Sequence, residues 1–587
     1  MRITMIEAVH PALFYIIGSL ILPIVKRRPL RDIFILTIPI LSFLQVLQLP
    51  EGQVWTIKIL NYYLLPLKVD RLSLVFSYVF IIASFTGFVY ALHVKTQGEH
   101  ISALMYVGGT LGVTFAGDWI TLLIGWELMA IASVFLIWYR RTPGALKAGF
   151  RYIMVHLVGG TLLIAGIALH VGSTANTTIN RLPCEGFSAY LILTAFLINA
   201  AVPPLHAWLT DAYPEATVTG SVFLSAFTTK SAVYILLRVF PGAEILVWLG
   251  TIMALYGIVY AVLENDIRRL LSYHIVSQVG YMVCGVGLGS PLALNGSAAH
   301  AFCHILYKAL LFMGVGVVIE GTGESKLTKL QGRNLYRELP FAFYLYMIGA
   351  FSISGVPLFN GFISKTMVVT SAGEIHRPLV HLLLHLASIG TFLHTGLKLP
   401  YGTWFGKAWD RNKKKESRSL RVPLNMYVAM AFNAALCVAI GIYPTVLYRL
   451  LPYEATYHPY TLYSVVTTIQ LLLFTLPAFW MFLGQLVGEA KVSIDTDWFY
   501  RRGADLFFQF CISSDAIRSL GQRWMERLVM FASTFARNPW SLLTPAYGKA
   551  KKIASYDPDE YRQAIGVGIA LFLALFSLLL GLSMNIR

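Results

Sequence analysis

The chain has 587 residues, of which 57% are hydrophobic and only 13% are charged, and its mean hydropathy is +0.65. A soluble protein carries roughly 25% charged residues, so this composition excludes a soluble globular fold and indicates a polytopic all-α membrane protein. The net charge of +17 would suggest nucleic-acid binding in a soluble protein. Here the basic residues cluster in alternate loops, which is typical of membrane topology, so we expect a lipid bilayer and no nucleic acid as partner.

Apolar segments of about 17–25 residues predict about 16 transmembrane helices. The first follows only one basic residue and lacks a small-residue cleavage site, so we interpret it as a membrane helix and not as a signal peptide. The predicted spans lie near residues 9–25, 33–49, 71–94, 102–117, 119–138, 150–172, 188–210, 217–238, 244–263, 270–289, 295–319, 340–371, 379–400, 423–445, 462–487 and 563–584.

The basic residues predict the orientation of the chain. One set of alternate loops is rich in Lys and Arg, notably at 26–31, 140–151, 326–337 and 407–421, and the other set is sparse. By the positive-inside rule the first set is cytoplasmic, which places both termini on the outer face of the cell inner (plasma) membrane.

Two of the predicted spans contain helix-breaking sequences, and each break has a nearby intramembrane lysine. Pro203-Pro204 interrupts the span at 188–210, and Lys230 lies in the middle of the next span. Gly355-Val356-Pro357 interrupts the span at 340–371, and Lys365 follows it. Adjacent prolines remove backbone donors, and a lysine at mid-membrane costs about 2.5–3.5 kcal/mol on insertion scales. A broken helix beside a buried charge is typical of an ion-translocation site.

Glu127 is the one carboxylate in the middle of an early span, among Trp126, Leu128 and Met129. Such a carboxylate is either protonated or paired with a cation. Lys230 is the natural candidate for this pairing, and the pair would then suit a proton relay. The alternative is a structural carboxylate that binds a neighbouring helix.

His300, His304 and Lys308 recur every four residues and therefore share one face of a helix over about 12 Å. Such a polar stripe suits a hydrated proton path, since histidine titrates near neutral pH. A metal site is the weaker interpretation, because no third ligand is evident. His206 and Lys398 are weaker candidates, and His156 and His274 are better explained as structural histidines.

The segment at 491–562 differs from the rest of the chain, because aromatic residues and arginines are mixed without a continuous apolar run. It predicts amphipathic helices along the cytoplasmic interface, before a last span at 563–587. The segment either covers its own chain or braces a neighbouring subunit.

Nothing in the sequence predicts a cofactor or a metal ion. The glycine-rich run at 285–289 lies inside a membrane span without a βαβ context, and no Walker loop occurs. The five cysteines are scattered without paired spacing, so we expect no disulfide, zinc or iron–sulfur site.

Several motifs together resemble the antiporter-like family shared by Mrp-type cation/proton antiporters, their D subunits in particular, and the proton-pumping subunits of respiratory complex I. The similarity covers about residues 70–405. The motifs are GWELM around Glu127, PLHAWLTDAYPEA at 204–216, FTTKSAVY around Lys230, DIRRLLSYHIVSQVGYM at 266–282, the His300/His304/Lys308 stripe and GFISK ending at Lys365.

The resemblance implies two inverted five-helix repeats, each with a broken helix, and a chain of protonatable residues across the membrane centre. Glu127 then corresponds to the family carboxylate, Lys230 and Lys308 to the connecting path, and Lys365 to the terminal lysine. The implied domains are N-terminal helices at 1–100, repeats at 101–240 and 241–405, C-terminal helices at 406–490, the interfacial segment at 491–562 and a last helix at 563–587. The interfacial segment is similar to the lateral helix of the longest complex I antiporter-like subunit.

One position departs from the family. Asn199 stands where the family usually has a lysine before the break of its seventh helix. An amide does not titrate, so either Lys230 replaces that lysine as the partner of Glu127 or the coupling in this half is altered.

These features favour a subunit of a multisubunit cation/proton antiporter that moves protons, with Na⁺ or K⁺ left open as a second ion. The alternative is a proton-pumping subunit of a redox-driven complex, either an NADH:quinone oxidoreductase or a membrane-bound hydrogenase. A structural scaffold is a third interpretation, which the number of buried charges disfavours. In each case the partners are other membrane subunits, and the chain itself has no catalytic residues.

Overall fold

The computed structural model describes residues 9–59, 62–405, 420–486, 495–537 and 565–584. The chain divides into two compact units, Met1–Asp497 and Trp498–Arg587. Within the described residues, ten helices are long and apolar enough to cross a membrane, and shorter apolar helices accompany them. This confirms the polytopic helical prediction, whereas the count of 16 spans stays a prediction.

The N-terminal region contains one element that the all-α prediction missed. Residues 52–59 and 62–69 form two antiparallel strands, which are rich in β-branched and aromatic residues. It is fixed to the helices behind it because the N–H of Leu65 donates to Oδ2 of Asp118 at 2.7 Å. The elements here are α1 (Pro11–Ile21), α2 (Arg28–Gln48), β1 (Gly52–Ile59), β2 (Tyr62–Val69) and α3 (Arg71–Ala91).

The next group of helices contains the first predicted break and a further interruption. No helix covers residues 200–206, which include Pro203-Pro204, as predicted. The span predicted at 217–238 is interrupted at Phe227, which the sequence did not indicate. The helices are α4 (Gln97–Phe115), α5 (Trp119–Trp138), α6 (Pro143–Thr174), α7 (Phe187–Asn199), α8 (Ala207–Ala212), α9 (Val218–Ala226) and α10 (Thr228–Val239).

The following group contains the second predicted break, at residues 355–359, and ends in π-helical turns at Phe392–Lys398 and Tyr401–Phe405. The helices are α11 (Glu244–Leu263), α12 (Ile267–Leu288), α13 (Pro291–Thr322), α14 (Leu327–Leu330), α15 (Leu335–Glu338), α16 (Pro340–Ser354), α17 (Asn360–Glu374) and α18 (Pro378–Thr391).

The two groups share local structure at an offset of 148 residues. Helices α5 and α12 both follow an aspartate N-cap, and α6 and α13 both have 32 residues and begin with proline. The N–H of Trp119 donates to the carbonyl of Thr177 at 2.9 Å. The N–H of Ile267 donates to the carbonyl of Ser325 at the same distance. The breaks match at a different offset, 154 residues, because Val202 and Val356 each donate to the carbonyl five residues earlier.

The remaining helices complete the chain. They are α19 (Leu424–Ile442), α20 (Thr445–Tyr448), α21 (Leu462–Met481), α22 (Leu483–Leu486), α23 (Asp497–Arg537) and α24 (Ile565–Met584). With 41 residues, α23 is about 60 Å long and lies within the predicted amphipathic segment. The rest of that segment, at 491–494 and 538–562, and the basic loop at 406–419 lie outside the described residues.

Helix α13 lies at the centre of the first unit. Of its apolar window 94% is buried, against 11% for α21. The polar stripe predicted on α13 is therefore enclosed by protein.

Candidate functional site

Lys230 is fully buried at the interruption between α9 and α10. Its Nζ donates to the carbonyl of Ser225 at 2.6 Å and to Oγ1 of Thr229 at 3.0 Å. A carbonyl released by a helix break carries partial negative charge and stabilises an ammonium group. The interruption therefore provides a carbonyl that stabilises the buried ammonium group of Lys230, and Lys230 in turn provides that carbonyl with a hydrogen-bond donor.

Glu127 on α5 does not form the predicted pair with Lys230. No ion pair joins the two side chains in the part of the chain that the structure describes. Oε1 of Glu127 instead faces α6 at Gly160, where a β-carbon would lie only 2.0 Å away. This oxygen has no hydrogen-bond partner among the described residues. The Nζ of Lys230 is bonded instead to Ser225 and Thr229.

Asn199, the departure from the family, is fully buried at the end of α7. The Nδ1–H of His156 on α6 donates to its Oδ1 at 3.0 Å. The ring of His156 also lies 4.6 Å from that of Trp208. His156 is one helical turn before Gly160, so the imidazole and the Glu127 carboxylate lie on the same side of α6.

His300, His304 and Lys308 are fully buried along one face of α13, as predicted. Nδ1 of His300 is hydrogen-bonded to Oγ of Ser364 at 3.1 Å. Both ring nitrogens of His304 and the Nζ of Lys308 have no hydrogen-bond partner among the described residues. Lys230 lies within electrostatic range of His304 and Lys308, so the stripe brings the two groups of helices together.

Lys365 on α17 reaches back to the second break. Its Nζ donates to the carbonyl of Ile353 at 2.9 Å, near the C-terminal end of α16. The same Nζ lies 5.1 Å from the ring centroid of Tyr281, which is 5.8 Å from the ring of His300. Lys230 and Lys365 therefore bind the same kind of group, a carbonyl that a helix break has released.

His206 follows the first break and binds a residue that the sequence analysis missed. Its Nε2 donates to Oδ2 of Asp495 at 3.1 Å, and the hydroxyls of Tyr256 and Tyr273 donate to the same carboxylate. Burial raises the pKa of Asp495, but the hydrogen bond and charge of His206 and the two tyrosine hydroxyls lower it further, so the net pKa lies below its ordinary value. The 289 residues between His206 and Asp495 hide this pair from any local pattern.

Lys398 is buried in the first π-helical turn, not at the membrane surface. Its Nζ donates to the carbonyls of Ala261, Val262 and Glu264 at the C-terminal end of α11. A cation at a helix C-terminus is stabilising, so these contacts give Lys398 a structural role.

The sequence analysis interpreted His274 as structural and did not consider His394. Both are fully buried, their rings lie 5.5 Å apart, and none of their ring nitrogens has a hydrogen-bond partner among the described residues. His274 lies within electrostatic range of Lys308 and Lys398. A signal was present, because His394 and Lys398 have the same four-residue spacing as His304 and Lys308.

Several of these buried titratable side chains lie within electrostatic range of one another. Lys230 is in range of His304 and Lys308, Lys365 is in range of His300, and Lys308 is in range of His274. Groups of this kind can pass protons when water molecules link them. Across the described residues, no cluster of three or more His, Cys, Asp or Glu side chains is arranged to hold a metal ion.

Comparison with known sequences gives a match over residues 116–392 to the family described as NADH:quinone oxidoreductase/Mrp antiporter, TM. The uncharacterized protein MJ1309 of Methanocaldococcus jannaschii is 30% identical over 362 residues, which are 59% of this chain and 74% of that protein. The A-type component of the Na⁺/H⁺ antiporter of Alkalihalophilus pseudofirmus is 29% identical over 435 residues. The match covers 65% of this chain but only 52% of that relative.

Two solved structures share the fold. A chain of the Mrp complex from Dietzia sp. has a TM-score of 0.65 and 22% identity, and the match covers 79% of this chain and 98% of that one. A chain of respiratory complex I from Thermus thermophilus has a TM-score of 0.63 and 21% identity, with coverage of 75% and 99%.

Proposed function

The chain belongs to the NADH:quinone oxidoreductase/Mrp antiporter family, and on this premise we propose that it is a proton-translocating subunit of a multisubunit cation/proton antiporter. The observation that carries the proposal is the buried stripe on α13, where His304 and Lys308 have no hydrogen-bond partner among the described residues. A buried polar group without a partner costs about 1–3 kcal/mol, which a purely structural helix would avoid. Groups of this kind within a membrane are typical of proton relays.

The proposed path begins at Glu127, continues through Lys230 and the α13 stripe, and ends at Lys365. Both lysines are held by break-released carbonyls, which stabilise the ammonium form without fixing it in an ion pair. A change in a neighbouring charge can then shift the proton, whereas a strong ion pair would trap it. The matching hydrogen bonds at the two breaks support assigning α4–α10 and α11–α18 to two inverted repeats.

In the first repeat, Asn199 replaces a titratable residue with an amide. We assign the connecting role there to Lys230, whose electrostatic contact with the stripe supports it, and to Glu127 as the site that loads the proton. The relatives named as subunits of Na⁺/H⁺ and K⁺/H⁺ antiporters support other membrane subunits as partners and Na⁺ or K⁺ as the second ion. The proposed location is the plasma membrane.

The test is proton flux in proteoliposomes that contain the assembled complex. Lys365→Ala and Glu127→Ala are each expected to abolish flux while the complex still assembles. Lys329→Ala is the matched control, because this lysine is half exposed and forms a surface pair with Glu324 at 3.2 Å. Wild-type flux in both buried-site variants would exclude the proposed path.

A second candidate is the proton-pumping subunit of a redox-driven complex. Helix α23 favours it, because a long amphipathic helix before a last span resembles the lateral helix of complex I. Copurification of the intact complex from its native membrane separates the two. Iron–sulfur or hydrogenase-like partners would support the redox-driven complex, and small antiporter subunits would support the antiporter.

A further inference from the structure

A polar cavity opens where α3 begins and where α19 is connected to α21. Its volume is about 290 Å³. Its walls are formed by Arg71, the first residue of α3, and by residues of the connection at 444–459, which includes α20. Both segments belong to the set of loops with few basic residues, which the positive-inside rule assigns to the outer face. We therefore place the cavity at the outer membrane–water interface.

Hydrogen bonds to the central helices fix the wall of this cavity. Nδ2 of Asn295 on α13 donates to the carbonyl of Tyr453 at 2.9 Å, and the N–H of Tyr453 donates back to Oδ1 of Asn295 at 3.0 Å. The hydroxyl of Tyr448 donates to the carbonyl of Ile363 on α17 at 2.9 Å. The connection is therefore anchored to α13 and α17, and the cavity is preformed, as ligand sites usually are.

Two arginines and one carboxylate line the cavity. Arg71, Arg449 and Glu454 are all exposed, and no hydrogen bond or ion pair holds any of the three charged groups in the part of the chain that the structure describes. Two guanidinium groups in one cavity repel each other, and an anion between them relieves this repulsion. The planar fork of arginine binds phosphate through two parallel hydrogen bonds, so the pair fits a phosphate group.

The surroundings of the cavity favour a lipid headgroup over a free phosphate ion. Tyr443 and Val446 flank the part of the wall at α20, Leu462 begins α21, and all three side chains are exposed. At the membrane interface such side chains contact the upper parts of acyl chains. Tyr453 lines the cavity with an exposed ring, which can bind an ammonium group by a cation–π contact. A phosphate ion would use none of these groups.

We propose that this cavity binds the headgroup of an outer-leaflet phospholipid, with the phosphate diester on Arg71 and Arg449 and an ammonium group on Glu454. An ethanolamine headgroup satisfies all three charged groups. A glycerol headgroup leaves the Glu454 carboxylate unpaired beside the phosphate, so phosphatidylethanolamine is preferred over phosphatidylglycerol. The bound lipid connects α3 to the α19–α21 connection. This inference does not depend on the proposed function.

The first test is lipid retention by the purified full complex, stripped of native lipid, titrated with phosphatidylethanolamine and analysed by native mass spectrometry. Arg71→Gln and Arg449→Gln are each expected to retain one lipid fewer than wild type, with affinity for that lipid at least about tenfold weaker, because a charge-assisted pair is lost. Arg71→Lys should lose less, since it keeps the charge but not the fork. Lys58→Gln, at an exposed lysine of β1 outside the cavity, is the matched control and should behave as wild type. Wild-type retention in both glutamine variants would overturn the site.

The second test identifies the ligand. Wild type is expected to retain phosphatidylethanolamine more tightly than phosphatidylglycerol, and Glu454→Gln is expected to remove this preference. Equal retention of the two lipids by wild type would overturn the assignment of the ammonium group to Glu454. The thermal midpoint of the stripped complex should rise with phosphatidylethanolamine and not with inorganic phosphate. A rise with inorganic phosphate alone would overturn the phospholipid in favour of a free anion.

Discussion

His156 and His304 occupy the same position, the fourteenth residue, in two helices of 32 residues. Their surroundings differ in the hydrogen bonds that the ring nitrogens form. His156 donates to Asn199 and packs against Trp208, whereas His304 is equally buried and has no hydrogen-bond partner among the described residues. Both helices therefore bury an imidazole. Nδ1 of His156 has a protein partner while its Nε2 has none, whereas neither ring nitrogen of His304 has one among the described residues.

The difference extends to the residues one turn later. In α6 the fourth residue after the histidine is Gly160, which leaves room for the Glu127 carboxylate, and in α13 it is Lys308. At these positions the first half thus contains a carboxylate and an amide, and the second half contains a lysine, Lys308, whose Nζ has no hydrogen-bond partner among the described residues. In the proposed path, the first half loads protons and the second half conducts them.

The largest expected effect is on proton flux, which should distinguish His304 from His156. His304→Leu should lower proton flux at least about tenfold, because it removes a proton carrier from the middle of the path. His156→Leu should retain most of the flux, because its imidazole is engaged by an amide. Flux is measured with a pH-sensitive dye in proteoliposomes. Equal losses of flux in the two variants would contradict the different roles of His304 and His156.

The same two variants should show the opposite order in stability. His156→Leu leaves Oδ1 of Asn199 buried without a donor, which costs about 1–3 kcal/mol. His304→Leu removes two unpartnered nitrogens and should leave the thermal midpoint of the purified complex unchanged or raised. A lower midpoint for His304→Leu than for His156→Leu would show that the stripe on α13 is structural.

Much of this comparison was predictable from local sequence. The two helix breaks, the lysines beside them and the shared face of His300, His304 and Lys308 follow from proline chemistry and helical periodicity. The strand pair at 52–59 and 62–69 was missed, although its β-branched and aromatic residues were an indication in the sequence.

Other features had no local signal. The interruption at Phe227 depends on Lys230 reaching the Ser225 carbonyl, which is a property of the packed helices. The Glu127–Lys230 pairing was wrong because periodicity gives the face of a residue but not the partner that competes for it. The His206–Asp495 pair and the cavity lined by Arg71 and Arg449 join segments that are far apart in sequence.

A smaller effect tests whether every buried lysine belongs to the path. Lys398→Met removes a cation from the carbonyls that end α11, and we expect a loss of about 0.3–1 kcal/mol in stability. The thermal midpoint should fall slightly while the complex still assembles. An unchanged midpoint would contradict the structural role of Lys398.

The smallest effect concerns Asp495, whose pKa is lowered in the folded protein. A lowered carboxylate pKa stabilises the fold at pH values above its ordinary value of 3.8 and loses this contribution as pH falls further. The difference in thermal midpoint between wild type and Asp495→Asn should therefore be constant near neutral pH and shrink below about pH 4. Asp515→Asn, at an exposed carboxylate, is the control. A difference that grows on acidification would contradict this assignment.

The central claim is that protons cross through the buried stripe of α13, where His304 and Lys308 have no hydrogen-bond partner among the described residues. Its most direct test compares proton flux through complexes carrying Lys308→Met and Lys398→Met, two buried lysines replaced by the same apolar side chain. We predict that Lys308→Met abolishes flux, and that Lys398→Met keeps most of it. Wild-type flux in Lys308→Met would contradict the claim.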